Sequence, residues 1–110
     1  MLVFVGGGSG ALLRWLLGGL VPTPWGILAV NILGCLGMGL LAGWLGRSGG
    51  PEQARLLLGV GLLGGFTTMS AFALDTVTLW SRAPLTALAY AGLTIAGSLA
   101  GLAIGLTLAR

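Results

Sequence analysis

Histidine and lysine are absent from this chain of 110 residues, cysteine occurs once, and only two residues are acidic. Without histidine there is no side chain whose ordinary pKa suits proton transfer near neutral pH. A lone cysteine, Cys35, excludes an intrachain disulfide, and within its apolar run it reads as a small core residue. Glu52 and Asp75 lie far apart, so no carboxylate pair and no metal-ligand spacing is visible. The glycines of "GGGSG" lack the Lys-Ser/Thr ending of a phosphate-binding loop. No catalytic set remains, and the chain reads as something other than an enzyme.

Charge is equally scarce, at 6% of residues, where a soluble domain carries about 25%. Such a chain cannot cover itself with polar groups in water. Its net charge of +3 comes from scattered arginines with no basic cluster. The balance therefore points to membrane-edge arginines rather than to nucleic acid. The N-terminus shows no charged segment or cleavage site of a removable signal.

What the chain has is apolar length. It is 56% hydrophobic with a mean hydropathy of +1.07. Four runs approach the ~20 residues that span a bilayer as helix, at about Leu2–Leu20, Gly26–Leu45, Leu56–Trp80 and Leu85–Leu108. "VPTPWG", "GRSGGPEQAR" and "SRAP" separate them, with Pro51 placed to open the third. The expectation is one all-α domain over residues 1–110, with both termini on one side of the lipid bilayer. Arg47, Arg55 and Arg110 lie on that side, against Arg82 and Arg14 near the other. That bias is too small to impose one orientation. Glycine fills 22 positions. Spacings such as Gly6/Gly10, Gly39/Gly43, Gly61/Gly65 and Gly101/Gly105 let helices approach closely. Packing on this scale, in a chain too small to enclose a pore, suggests an oligomer.

The chemistry must then lie with the few polar groups inside the runs. Arg14 costs at least ~2.5 kcal/mol if it sits near the middle of a helix in lipid, and it either marks a pathway or snorkels to the surface. Asn31, in "LAVNILG", either glues helices or holds an ion. Tyr90, Thr94 and Ser98 recur every four residues and share a helix face. They form a polar track unless the Thr and Ser hydroxyls bond their own helix carbonyls. In "GLLGGFTTMSAF" two glycines and the hydroxyls of Thr67, Thr68 and Ser70 interrupt the third run. Unwound backbone in a membrane must be buried in protein or face water, and its freed carbonyls suit a cation. Met69 and Phe72 share a face there, and a phenyl edge is electropositive toward an anion.

These stretches resemble the CrcB/Fluc fluoride channel family along nearly the whole chain. The first motif stands as "GGGSGALLRW", with Trp15 where the family commonly has Tyr. The second is "PWGILAVNILG", with Ile27 in place of a frequent Thr and Leu36 in place of Phe. The third is "GGFTTMSAF" followed by Asp75, with Met69 in place of the usual Phe and Ala71 in place of Thr. The resemblance implies a passive, fluoride-selective channel in the cell inner (plasma) membrane, built as an antiparallel, dual-topology homodimer with two pores. The third helix is broken mid-membrane, and the backbone carbonyls of Gly64 and Thr67 from both subunits hold a central structural sodium ion. Asn31, Thr68, Met69, Ser70, Phe72, Tyr90, Thr94 and Ser98 line the fluoride pathway, with Arg14 near a vestibule.

Two other readings compete. A small multidrug-resistance exporter shares the length, the four spans and the dual topology. It needs a carboxylate deep in the first helix, where this chain has Arg14 and no acidic residue before Glu52. A non-conducting membrane assembly subunit needs the glycines but not the polar residues.

Overall fold

The computed structural model describes all residues, Met1–Arg110, and it is entirely helical. Helix α1 spans Leu2–Gly18 and α2 spans Trp25–Ser48. Gly49 closes α2 in the left-handed conformation, φ 64°, which glycine adopts without the cost other residues meet. Helix α3 opens behind Pro51 as Glu52–Ala54, widens to a π-helical stretch at Arg55–Leu63, and returns to α geometry at Gly64–Phe66. Helix α4 is Met69–Arg82, and α5 is Pro84–Ala109 with proline in its first turn. Three helical stretches are long and apolar enough to cross a membrane: Trp25–Ser48, Glu52–Arg82 and Pro84–Ala109. Leu2–Gly18 is a shorter apolar helix.

The four sequence runs thus correspond to four helical segments, with ends shifted by a few residues. Two differences are larger. The π-helical widening left no mark in the hydrophobic pattern. The glycine pair expected to unwind the third run does not do so: Gly64 holds φ −63°, ψ −38°. The extended residues are Thr67 (φ −79°, ψ 156°) and Thr68 (φ −149°, ψ 125°). Glycine permits distortion but does not compel it, and these helical glycines serve close packing instead.

Packing divides the subunit into two pairs, α1 against α3 and α2 against α5, with α4 leaning on α5. Each pair meets along facing glycines. A Cβ on Gly10 would collide with the Leu62 carbonyl, and one on Gly65 with the Gly7 carbonyl. On the other side, a Cβ on Gly39 would strike the Leu102 carbonyl, and one on Gly105 the Leu36 carbonyl. The small-residue spacings are therefore used up within one subunit. They give no support to an oligomer, contrary to the expectation drawn from their number. The buried apolar set is small (Val30, Phe66, Phe72, Ala87 and Tyr90), while Phe4, Leu20, Leu85 and Leu99 stand exposed. That inside-out distribution suits a lipid solvent, where helices associate by close van der Waals packing. The longest dimension, 47 Å, matches a bilayer with its headgroups.

Replacing Gly10 by Val should destabilise the fold by at least about 1–3 kcal/mol, the usual cost of overpacking, because the obstacle is backbone that cannot rotate away. Gly8→Ala, where nothing lies within 4 Å, should be neutral. Thermal unfolding in detergent separates the two variants, and equal behaviour would remove the close-approach argument.

Candidate functional site

Thr67 and Thr68 join α3 to α4 in extended conformation, so their backbone groups must find partners outside the helix ladder. Asn31 of α2, 8% exposed, supplies two. Its Oδ1 accepts from the Thr68 N–H at 2.8 Å, and its Nδ2 donates to the Thr68 carbonyl at 3.0 Å. The carboxamide thus pairs with Thr68 as a neighbouring strand would. Gly34, one turn along α2, makes room, since a Cβ there would meet the Thr67 methyl. From the opposite side Arg14 of α1 donates through Nη1 to the Thr67 carbonyl at 3.2 Å. Its charge also lies near the C-terminal end of α3, where helix carbonyls favour a cation.

The hydroxyls at the junction are turned inward. Thr67 Oγ1 donates to the Leu63 carbonyl at 3.0 Å, which also accepts the Thr67 N–H at 3.1 Å. Thr68 Oγ1 caps α4 by accepting from the Ala71 N–H at 3.2 Å and lies 3.3 Å from Ser70 Oγ. That cap satisfies one of the free donors of a helix start.

An open cleft of about 330 Å³ lies beside the junction. Of the residues singled out in the sequence, Asn31, Thr67, Thr68, Met69, Phe72, Thr94 and Ser98 line it. Met69 is 73% exposed and Phe72 is buried. Tyr90 belongs to the same stripe but lies fully buried, out of the cleft lining. Its ring packs against Phe72 at 5.4 Å and meets Trp25 edge-on at 5.9 Å. Ser70 is exposed and is not among the residues facing the cleft. Arg14 lines a different cavity, with Trp15, Thr23 and Ile27. Gly64 lines another again, with Met38, Leu41 and Arg55. The cleft therefore does not gather Gly64 and Arg14 with the other residues.

The α5 stripe is the most informative part. Thr76, Thr107, Ser48 and Ser81 all bond carbonyls of their own helices, as Thr67 does. Thr94 Oγ1, Ser98 Oγ and Tyr90 Oη do not: all three are buried without a partner. Native proteins leave few buried hydroxyls unpaired, and those left need a reason. Asp75 faces Tyr90, yet its Oδ2 is likewise buried and unpaired.

Two lining or supporting residues escaped the sequence reading. Cys35 is only partly buried and faces the cleft rather than the core. Its position four after Asn31, on the same helix face, was the available signal. Trp25 holds Tyr90 across a separation of 65 residues, which nothing local announces.

Comparison with known proteins is consistent along the chain. A family model described as CrcB-like protein, Camphor Resistance (CrcB), matches residues 1–106. A relative from Novosphingobium aromaticivorans, named fluoride-specific ion channel FluC, is 51% identical, covering 98% of this chain and 93% of the relative. Proteins of the same name from Mesorhizobium japonicum (47% identical, 100% of this chain, 94% of the relative) and Paracoccus denitrificans (51%, 98% and 91%) are similar throughout.

The Asn31 pairing has a direct test. Asn31→Ala strands the Thr68 N–H and carbonyl, which should cost roughly 1–3 kcal/mol per unsatisfied group. The Thr68 amide should then exchange with deuterium far faster than in the parent protein. Asn31→Asp keeps the acceptor, and protection there should be intermediate. An unchanged exchange rate in Asn31→Ala would show that the pairing does not hold the junction.

Proposed function

This chain belongs to the CrcB family, and we propose that it is a fluoride-selective channel that lets the ion leave passively down its gradient. It is a multi-pass integral protein of the plasma membrane, and its family is one of ion channels, not enzymes. The observation that carries the reading is the set of buried hydroxyls on α5 that bond nothing within the chain, two of which line the cleft beside Asn31.

Small anions hold water tightly, so a selective pore must return donors as water leaves. The cleft is suited to this. Thr94 and Ser98 have hydroxyl protons with no internal partner, and the Asn31 amide has a second N–H beyond the one given to Thr68. The Phe72 ring offers its positive edge. None of these groups is charged, and a full positive charge would trap the ion rather than pass it. Tyr90, clamped by Trp25 and Phe72, continues the stripe behind the lining. Arg14 lies outside the cleft and favours anions only at long range.

One subunit leaves the cleft open on one side, and a second subunit closes it. The assembly is an antiparallel homodimer with two pores, each copy inserting in either orientation, as the even spread of arginines allows. The Thr67–Thr68 junction lies mid-membrane and breaks the third spanning helix. Central structural sodium fits the groups present. The Thr68 N–H is turned to Asn31 and away from the Gly64 carbonyl. The Thr67 carbonyl carries one bond from Arg14 and keeps a second lone pair. Carbonyls of unwound helix suit such a cation. Two oxygens from each subunit would hold it, and its charge would tie the two junctions together.

Proteoliposomes loaded with fluoride should release it passively and retain chloride, and comparable chloride flux would refute selectivity. The sharper test is Thr94→Val, which keeps shape and removes the unpaired hydroxyl. A hydroxyl that bonds nothing adds no stability, so folding should be unchanged or improved, while fluoride flux falls at least tenfold. Phe72→Ile should lower flux with the assembly intact by size-exclusion chromatography. Near-normal flux in either variant would take that residue out of the pathway. On a Cys35→Ser background, Ser48→Cys should be labelled in about half the copies from each side of the membrane. Labelling from one side only would end the dual-topology reading.

A further inference from the structure

The cleft carries two sulfur atoms. Cys35 and Met69 both line it, and Cys35 is a free, partly accessible thiol. Asn31 ties α2 to Thr68. Cys35 stands one helical turn from Asn31 on the same face, and Met69 directly follows Thr68. The Met69 side chain is 73% exposed and has three rotatable bonds, so its thioether can swing toward the thiol. Between these elements, the Thr94 hydroxyl is buried to 4% exposure and lacks a partner. The cleft is thus formed for an occupant, and its only metal-binding atoms of high affinity are soft. Histidine is absent from the chain, and no group of acidic, cysteine or histidine residues gathers anywhere to attract a hard or borderline ion.

We infer that Cys35 and Met69 form a two-sulfur site for a soft monovalent cation of the copper(I) or silver(I) class, seated in the cleft. Thiolate and thioether ligands select such ions over hard ones. Binding exchanges a proton for the metal: the Cys35 S–H bond breaks, sulfur bonds the cation, and the proton passes to solvent. The Met69 thioether donates a lone pair, and no oxidation state changes. An ion held there occupies the space next to Asn31 and Thr94, so it blocks the pathway proposed above. The blocking role rests on that proposal, whereas the binding site itself does not.

Silver(I) in chloride-free buffer is the probe. The purified full-length protein should take up one silver ion per chain by native mass spectrometry, releasing one proton. Cys35→Ser should bind none in the cleft, and Met69→Leu should bind at least tenfold more weakly. Both variants should elute like the parent on size exclusion. Met38, which lines another cavity, serves as a control, and Met38→Leu should bind as the parent does. Parent-like binding in Cys35→Ser or Met69→Leu, or no uptake by the parent, would overturn the site. In proteoliposomes, silver should stop fluoride release from the parent but not from Cys35→Ser. Release that continues with silver bound would overturn the blocking position. Absence of fluoride release before silver is added would sink the channel reading alone, because uptake and proton release judge the site independently.

Discussion

The two hydrogen bonds between Asn31 and Thr68 are what allow an otherwise helical subunit to contain two extended residues. Lipid offers no partners to a free N–H or carbonyl, so unpaired backbone there costs several kcal/mol. A carboxamide offers a donor and an acceptor on one small group and replaces the missing helix ladder for a whole residue. The neighbouring features depend on this. Gly34 lets the junction approach α2, Arg14 secures the Thr67 carbonyl from α1, and Thr68, once fixed, caps α4. Phe72 and Met69 take their positions at the cleft from where α4 begins.

A second pattern follows from how hydroxyls are used. Most of the Ser and Thr side chains bond their own helices, the cheapest arrangement in an apolar medium. Thr94 and Ser98 forgo it, and Tyr90 is buried without a partner. Unpaired buried hydroxyls are a standing cost in the single chain, and that cost is recovered only when something else accepts from them. A dehydrating anion is such an acceptor. Neutral donors in a mainly apolar cleft bind it strongly enough to replace water and weakly enough to release it. The same cleft has soft walls in this chain because Met69 and Cys35 face it, which gives it a second class of possible occupant.

The small-residue spacings show how one signal can support two conclusions. Gly6, Gly10, Gly39 and Gly105 did mark close helix approach, as their spacing says. Whether the approaching helix belonged to the same chain or to another was not in the spacing. The coordinates show that α1 meets α3 and α2 meets α5 within one subunit.

Composition and hydrophobic run length determined the membrane solvent, the four helical segments and the absence of catalytic chemistry. These are properties that sum along the chain and need no knowledge of what touches what. Fourfold spacing likewise placed Tyr90, Thr94 and Ser98 on one face, and the costs of Arg14 and Asn31 in lipid marked both in advance. Tertiary structure decided the rest. It moved the distortion from the glycine pair to Thr67–Thr68, because Asn31 rewards unwinding only where its amide can reach. It brought Cys35 to a cleft instead of a core, set Trp25 against Tyr90, and placed Arg14 on a carbonyl away from the cleft. Each of these outcomes depends on a partner tens of residues away, and a local pattern carries no record of which distant group will arrive to satisfy it.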